Sequence, residues 1–407
     1  MSRFLHILTL ILLTACLTSC HKHELKPDKP EVPKSRKTVV VYMVAENSLD
    51  SYAAKDLREI ISAKDQIPLD CNLVVYVDDT QMPAIYTYTA ATGRSEWRTY
   101  TEQNSCDGEV FHKVLKDITD YFPARSYGLI MWSHGSGWLP APKAKAPRKT
   151  IGIDNMINSG HSDSGAELEI PVMRAKLQEL GLHWDYIFFD ACFMQCAEVD
   201  YELRDVCDYV VASPAEIPGE GAPYHLIMPA LFLDQGAAQE ITRIYHQTNT
   251  NITYGGGTHG GLIISVAQSN QMEALATRIR PYIQRLYAGR REHDLTQAQT
   301  YCRYYPYDAG SKTEYYDLGS AMNLLLQSPS DYEDLMRQVA LSYPLQLQTP
   351  YWVSIFFPGS QGTVTDPTHL ACASIFLPHS KYDTQGYNQR LRDYQWYKAA
   401  GWDATGW

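Results

Sequence analysis

YGLIMWSHGSGW, residues 127–138, is the stretch on which the reading of this sequence turns. Its first six residues form an unbroken apolar run of strand length. Such a run suits a β-strand covered on both faces. The run stops at Ser133-His134-Gly135, so a histidine stands at the carboxyl end of a buried strand with a glycine behind it. WDYIFFDAC, residues 184–192, follows the same pattern and ends at Asp190-Ala191-Cys192. Working outward, residues 38–45 (TVVVYMVA), 73–77 and 209–212 read as further buried strands, and 85–90 with 97–100 as a hairpin. Apolar residues at helical spacing fall between them, at 49–64, 109–122, 169–180 and 195–206. Strands alternating with helices imply an α/β/α sandwich with a mostly parallel central sheet. Ligand sites in such sheets lie outside the carboxyl ends of the strands. His134 and Cys192 are therefore expected on the same rim.

Further along, residues 237–247 and 272–286 read as helices and 262–266 as a strand. Beyond Arg290 come Tyr-rich loops, a helix at 318–325, strands at 352–357 and 371–377, and a last helix at 387–399. Residues 37–290 are expected to form the main domain, and 291–407 a smaller α/β subdomain packed on it. No internal repeat is present.

A cysteine nucleophile needs a base to take its proton and donors to hold the oxyanion. It works best partly exposed, in an electropositive place, often at a helix start. A helix beginning near Gln195 would put Cys192 at such an end and favour its thiolate. Gly135 lets a substrate approach the backbone closely and offers its N–H as an oxyanion donor. Either residue alone is more often structural. The pair, one flanked by Gly-Ser-Gly and the other by an aspartate, is harder to dismiss.

The 407 residues carry a formal net charge of −11, and the first 37 residues are themselves basic, so the body is more acidic still. Such a body does not suit nucleic acid, which needs basic surface to displace counterions. It suits cationic substrates. Residues 1–19 read as a targeting leader: Arg3, an apolar run at 5–13 too short to span a bilayer, then Leu17-Thr18-Ser19-Cys20. That end resembles a bacterial lipobox. The resemblance implies a lipid on Cys20, a membrane anchor, and a place in the cell envelope at the outer membrane. A plain secretory leader cut elsewhere, or a short membrane anchor, is the alternative. Residues 20–36 are Pro-rich and charged and read as a flexible tether. Past Cys16 and Cys20, seven cysteines remain, an odd number in a scattered pattern that fits neither a disulfide framework nor a zinc site.

LIMWSHGSGW (129–138) and YIFFDACFMQCAEVDYELRDVCDYVVAS (186–213) resemble the two signature blocks of the clostripain family of cysteine peptidases. That family shares the caspase-like fold with legumains and gingipains. YYDLGSAM (315–322) and VSIFFP (353–358) are similar to its later segments, more loosely. The resemblance implies a Cys192–His134 dyad, with the N–H groups of Gly135 and Cys192 as the oxyanion hole. It implies protein or peptide substrates cut after Arg or Lys, with Asp190 beside the S1 pocket. An aspartate that only holds the strand end is the other reading of Asp190. Glu216 or Glu220, in ASPAEIPGEGAPY (212–224), would border the cleft. Pro214 stands where the family usually has an acid, and Ala222-Pro223 where an aromatic is common. A small or uncharged P1 residue thus stays open. So does a silent binding lipoprotein on the same scaffold. The resemblance further implies self-cleavage in the Lys- and Pro-rich segment 141–154, at Lys145, Arg148 or Lys149, against the reading of a solvated basic loop. No cofactor is firmly implied. Some family members respond to calcium, and the sequence has no EF-hand spacing. Cys196 and Cys207 read as packing residues.

Overall fold

A computed structural model describes residues 34–139, 151–155, 166–250, 253–254, 257–258, 261–304, 313–354 and 361–407. Lys34–Trp407 form a compact unit. The strands of its main sheet and of the pair beside the site are β1 (Ser35–Val44), β2 (Cys71–Asp78), β3 (Ala84–Thr89), β4 (Gly93–Thr99), β5 (Ala124–Trp132), β6 (Ile151–Asp154), β7 (Ala166–Leu168), β8 (Trp184–Asp190), β9 (Cys207–Ala212), β10 (Ile263–Gln268) and β11 (Leu345–Gln348). Nine of them build one sheet in the order β11-β10-β9-β8-β5-β1-β2-β3-β4, and β6 pairs with β7 apart from it.

The five central strands, β9-β8-β5-β1-β2, run parallel. Antiparallel strands close both flanks. This is the expected α/β/α sandwich. Strand β1 shows why unbroken apolar runs were needed. Val40, Tyr42 and Val44 point into one core and Val39, Val41 and Met43 into the other. Over the second core lie α1 (Asp50–Ser62), α5 (Tyr224–Leu231) and α6 (Ala237–Thr248), through Leu57, Ile60, Ile227 and Ile241. Over the first lie α2 (Gly108–Tyr121), α3 (Ile170–Glu179), α4 (Ala197–Leu203), α7 (Met272–Tyr287), α8 (Leu318–Leu326) and α9 (Pro329–Ser342).

Several expectations need correction. The first strand begins at Ser35, not past Lys37, and Lys37 is fully buried with its Nζ 2.6 Å from Asp185. Residues 371–377 do not form a long strand. Only Ser374–Ile375 pairs, because neighbouring N–H groups are taken by carboxylates: Ala371 by Asp317 and Phe376 by Glu198. The expected helix at 387–399 splits at Tyr394, which is extended (φ −97°, ψ 142°), and the Gln395 N–H donates to Glu202. Helices α5 and α9 and strand β11 were not expected. The last of these joins the C-terminal region to the main sheet through β10.

Candidate active site

Strands β5 and β8 are parallel neighbours, with Trp132 opposite Asp190. Their carboxyl ends carry His134 and Cys192 side by side. Gly135 is packed so closely that a Cβ there would lie 2.5 Å from the Cys192 carbonyl oxygen and 3.1 Å from Ala191 Cβ. Only glycine permits that approach. His134, Gly135 and Cys192 line one cleft of about 500 Å³.

The turn after β1 fixes the histidine. Asn47 accepts the Leu49 N–H at 2.8 Å and donates to the carbonyls of Val44 (3.0 Å) and Ile153 (2.6 Å). That arrangement sets Ser48 Oγ 2.8 Å from His134 Nε2. Ser133 Oγ ties the same three chain ends, donating to the Val44 carbonyl and accepting the Ile153 N–H. Gly135 bridges Ile151 in antiparallel fashion. The bridge runs through Gly152 N–H to the His134 carbonyl at 2.9 Å. In that pattern the ladder passes the Gly135 N–H by, which leaves it available to an oxyanion.

The environment of Cys192 differs from the expected one. Helix α4 starts at Ala197, so no helix N-terminus stands behind the sulfur. The chain turns instead through Phe193 in the left-handed region (φ 64°), held by Phe193 N–H to the Ala215 carbonyl and Gln195 N–H to the Ser213 carbonyl. Nor is the place electropositive. Burial pushes the Cys192 thiol up to about 12; the Ile217 N–H, 3.5 Å from Sγ, opposes the rise, while Glu216 and Asp190 add to it. Burial also holds His134 below its ordinary value. Both groups are thus neutral in the free protein at pH 7.

Glu167, Asp190 and Glu216 line the cleft, and no lysine or arginine is among its described lining residues. Asp190 accepts the Ala222 N–H (3.1 Å) and the hydroxyls of Tyr224 (3.1 Å) and Tyr245 (3.5 Å), and burial raises its pKa to about 6. Strand-end anchoring and a place on the cleft wall are therefore both true of Asp190. Glu216 lines the cleft beside it. Glu220 does not: Gly219 and Gly221 on either side do. The sequence reading missed Ser48 and Asp56. Asp56 is fully buried, accepts the Trp132 indole N–H at 2.8 Å, and is pushed up to about 9 by burial and by Asp190. A Cβ on Gly221 would lie 3.0 Å from Asp190 Oδ2 and 3.3 Å from Asp56 Oδ2, so the two acids flank one glycine. An aspartate on the apolar face of α1, next to Leu57, was the available signal for it. Cys196 and Cys207 are buried and unbridged, as packing residues are. Cys20, Lys145, Arg148 and Lys149 lie outside the described residues.

A model of the clostripain family matches residues 41–407. Clostripain from Hathewaya histolytica is 26% identical over a match covering 55% of this chain and 48% of that protein, so the chain spans about half the length of this relative. A solved secreted cysteine protease from Bacteroides thetaiotaomicron, in complex with an irreversible peptide inhibitor, is 29% identical with a TM-score of 0.76, covering 91% of this chain and 100% of its own. A solved inactive zymogen protease from Parabacteroides distasonis is 25% identical with a TM-score of 0.73, covering 91% of this chain and 99% of its own.

Proposed function

This chain belongs to the clostripain family, and we propose that it is a cysteine endopeptidase that cuts after Arg or Lys through Cys192 and His134. The observation that carries this is the seating of Gly135 against the Cys192 backbone, which brings the two strand ends onto one cleft. His134 takes the thiol proton and Cys192 Sγ attacks the scissile carbonyl carbon. The N–H groups of Gly135 and Cys192 receive the oxyanion. His134 then protonates the leaving amine, and water hydrolyses the thioester.

Acidity around the thiol supports a basic P1 residue. Glu216 and Asp190 both disfavour the thiolate in the empty site. A guanidinium or ammonium group entering beside Asp190 offsets that charge, so the right substrate helps ionise its own nucleophile. Self-processing within 143–149 and a lipid anchor at Cys20 belong to the same proposal. The test is covalent labelling by acyloxymethyl ketones with P1 Arg, Lys or Ala. Labelling on Cys192 with the basic probes ahead of P1 Ala supports the reading. Equal labelling by all three sinks the basic preference, and none at all sinks the peptidase.

A further inference from the structure

The wall of the cleft has a second acid behind it. Trp132, Asp190 and Gly221 line the cleft, and Asp56 stands behind all three. It comes from helix α1 and is fully buried. Its Oδ2 accepts the Trp132 indole N–H at 2.8 Å. Gly221, in the left-handed region (φ 64°), brings no side chain to the spot where the two acids meet the wall. The place its Cβ would take is bordered by Asp190 Oδ2 at 3.0 Å, Asp56 Oδ2 at 3.3 Å and Asp190 Oδ1 at 3.4 Å. A side chain that reaches Asp190 from the cleft therefore comes close to both carboxyls.

Holding Trp132 does not account for an acid here. Asp56 Oδ1 is buried and meets no hydrogen-bond donor among the described residues. A bare carboxylate oxygen out of water is strongly unfavourable, and a neutral acceptor would serve the indole as well. Asp56 faces Asp190 on β8, Glu59 and Lys55 on its own helix, and the hydroxyls of Tyr224 on α5 and Tyr245 on α6. Burial first and Asp190 second raise its pKa to about 9, against about 6 for Asp190. At pH 8 the empty pair thus holds one proton, on Asp56, and one negative charge, on Asp190.

We propose that Asp56 is a specificity-determining residue for basic P1 side chains, acting with Asp190 as a two-carboxylate base to the P1 pocket. It has this role only if P1 is basic, as proposed above. Two acids so close and out of water ionise together only when a cation joins them. A P1 guanidinium entering beside Asp190 drives the Asp56 proton into solvent and is then opposed by two charges. A neutral P1 side chain leaves the proton in place.

The test uses the full chain carrying Cys192→Ala, so that binding is read apart from hydrolysis. Two peptides are compared, identical except for P1 Arg or its neutral isostere citrulline. Titration calorimetry at pH 8, in two buffers of different ionisation heat, counts the protons exchanged. P1-Arg should release about one proton and P1-citrulline none. Because a proton leaves on binding, affinity for P1-Arg should rise between pH 7 and 9. Adding Asp56→Asn keeps an acceptor for Trp132. It should abolish the release, flatten the rise and cut the Arg-to-citrulline affinity ratio at pH 9 roughly tenfold. If that variant fails to fold, the proton count in the parent protein decides the matter alone. Tighter binding of P1-Arg with no proton released, or the same ratio in folded Asp56→Asn, overturns the role of Asp56 and leaves the basic P1 reading standing. Equal binding of the two peptides overturns both.

Discussion

At the scale of single residues, the site depends on how near two backbones come. Gly135→Ala puts a methyl against the Cys192 carbonyl. It should cost roughly 100-fold or more in kcat, on the scale of losing an oxyanion donor, with little change in circular dichroism. Activity within a few fold of wild type would remove Gly135 from the mechanism. Asp190 supplies a test by pH. Its pKa of about 6 means that it takes up a proton in the folded protein as pH falls from 7 to 5. The advantage of P1-Arg over P1-Ala peptides, measured as kcat/KM, should shrink through that window. A constant ratio would show that Asp190 does not read P1. His134 and Cys192, with Gly135 behind the histidine, were legible in the sequence because strand ends announce themselves by where an apolar run stops; Asp190 and Glu216 came only from the family resemblance, which left Glu216 and Glu220 level. Ser48 and Asp56 were not, because each matters through a contact distant in sequence: Ser48 with His134, and Asp56 with Trp132 and Asp190.

At the scale of elements, the continuous runs of β1, β2, β5 and β8 could be read because parallel strands buried on both faces have no polar side to confuse the pattern. Helix α4 was read about two residues early. Met194 and Gln195 are committed to the turn around Cys192, with the Gln195 N–H bound to the Ser213 carbonyl. Helix α5 was hidden by Pro229 inside it. Helix α9 did announce its start, with Ser328 capping the Asp331 N–H and Pro329 in the first turn. Strand β11 is short and only partly buried, so it carries little apolar signal. Caps give the element-scale test. Asp107 accepts the N–H groups of Glu109 and Val110 at the start of α2. Asp107→Ala should lower stability by about 1 kcal/mol in urea unfolding. A loss near zero would mean that this end of α2 is held by packing alone.

At the scale of the whole molecule, the C-terminal region clamps the rim. The Tyr315 hydroxyl accepts the Leu139 N–H at 3.1 Å and donates to the Ser136 carbonyl, and Arg390 donates to the Trp138 carbonyl. Glu198 accepts the Phe376 N–H at 2.9 Å, tying the cysteine turn's helix to the same region. Burial raises the Glu198 pKa to about 8, and that of Asp56 to about 9. At pH 7 the folded chain therefore holds protons that the unfolded chain has already released. Stability must fall as pH rises from 7 to 9, where the folded state gives those protons up. Thermal unfolding should show a lower Tm at pH 9 than at pH 7, and a smaller fall in Glu198→Gln. A Tm that climbs over that window would contradict these buried acids. The central claim is tested most directly by hydrolysis of P1-Arg and P1-Lys fluorogenic peptides by the full chain, wild type beside Cys192→Ala. The expected result is turnover by the wild type, none by the variant, and the same unfolding curve for both. Equal turnover by the two, or no turnover of any P1 residue by the wild type, would contradict it.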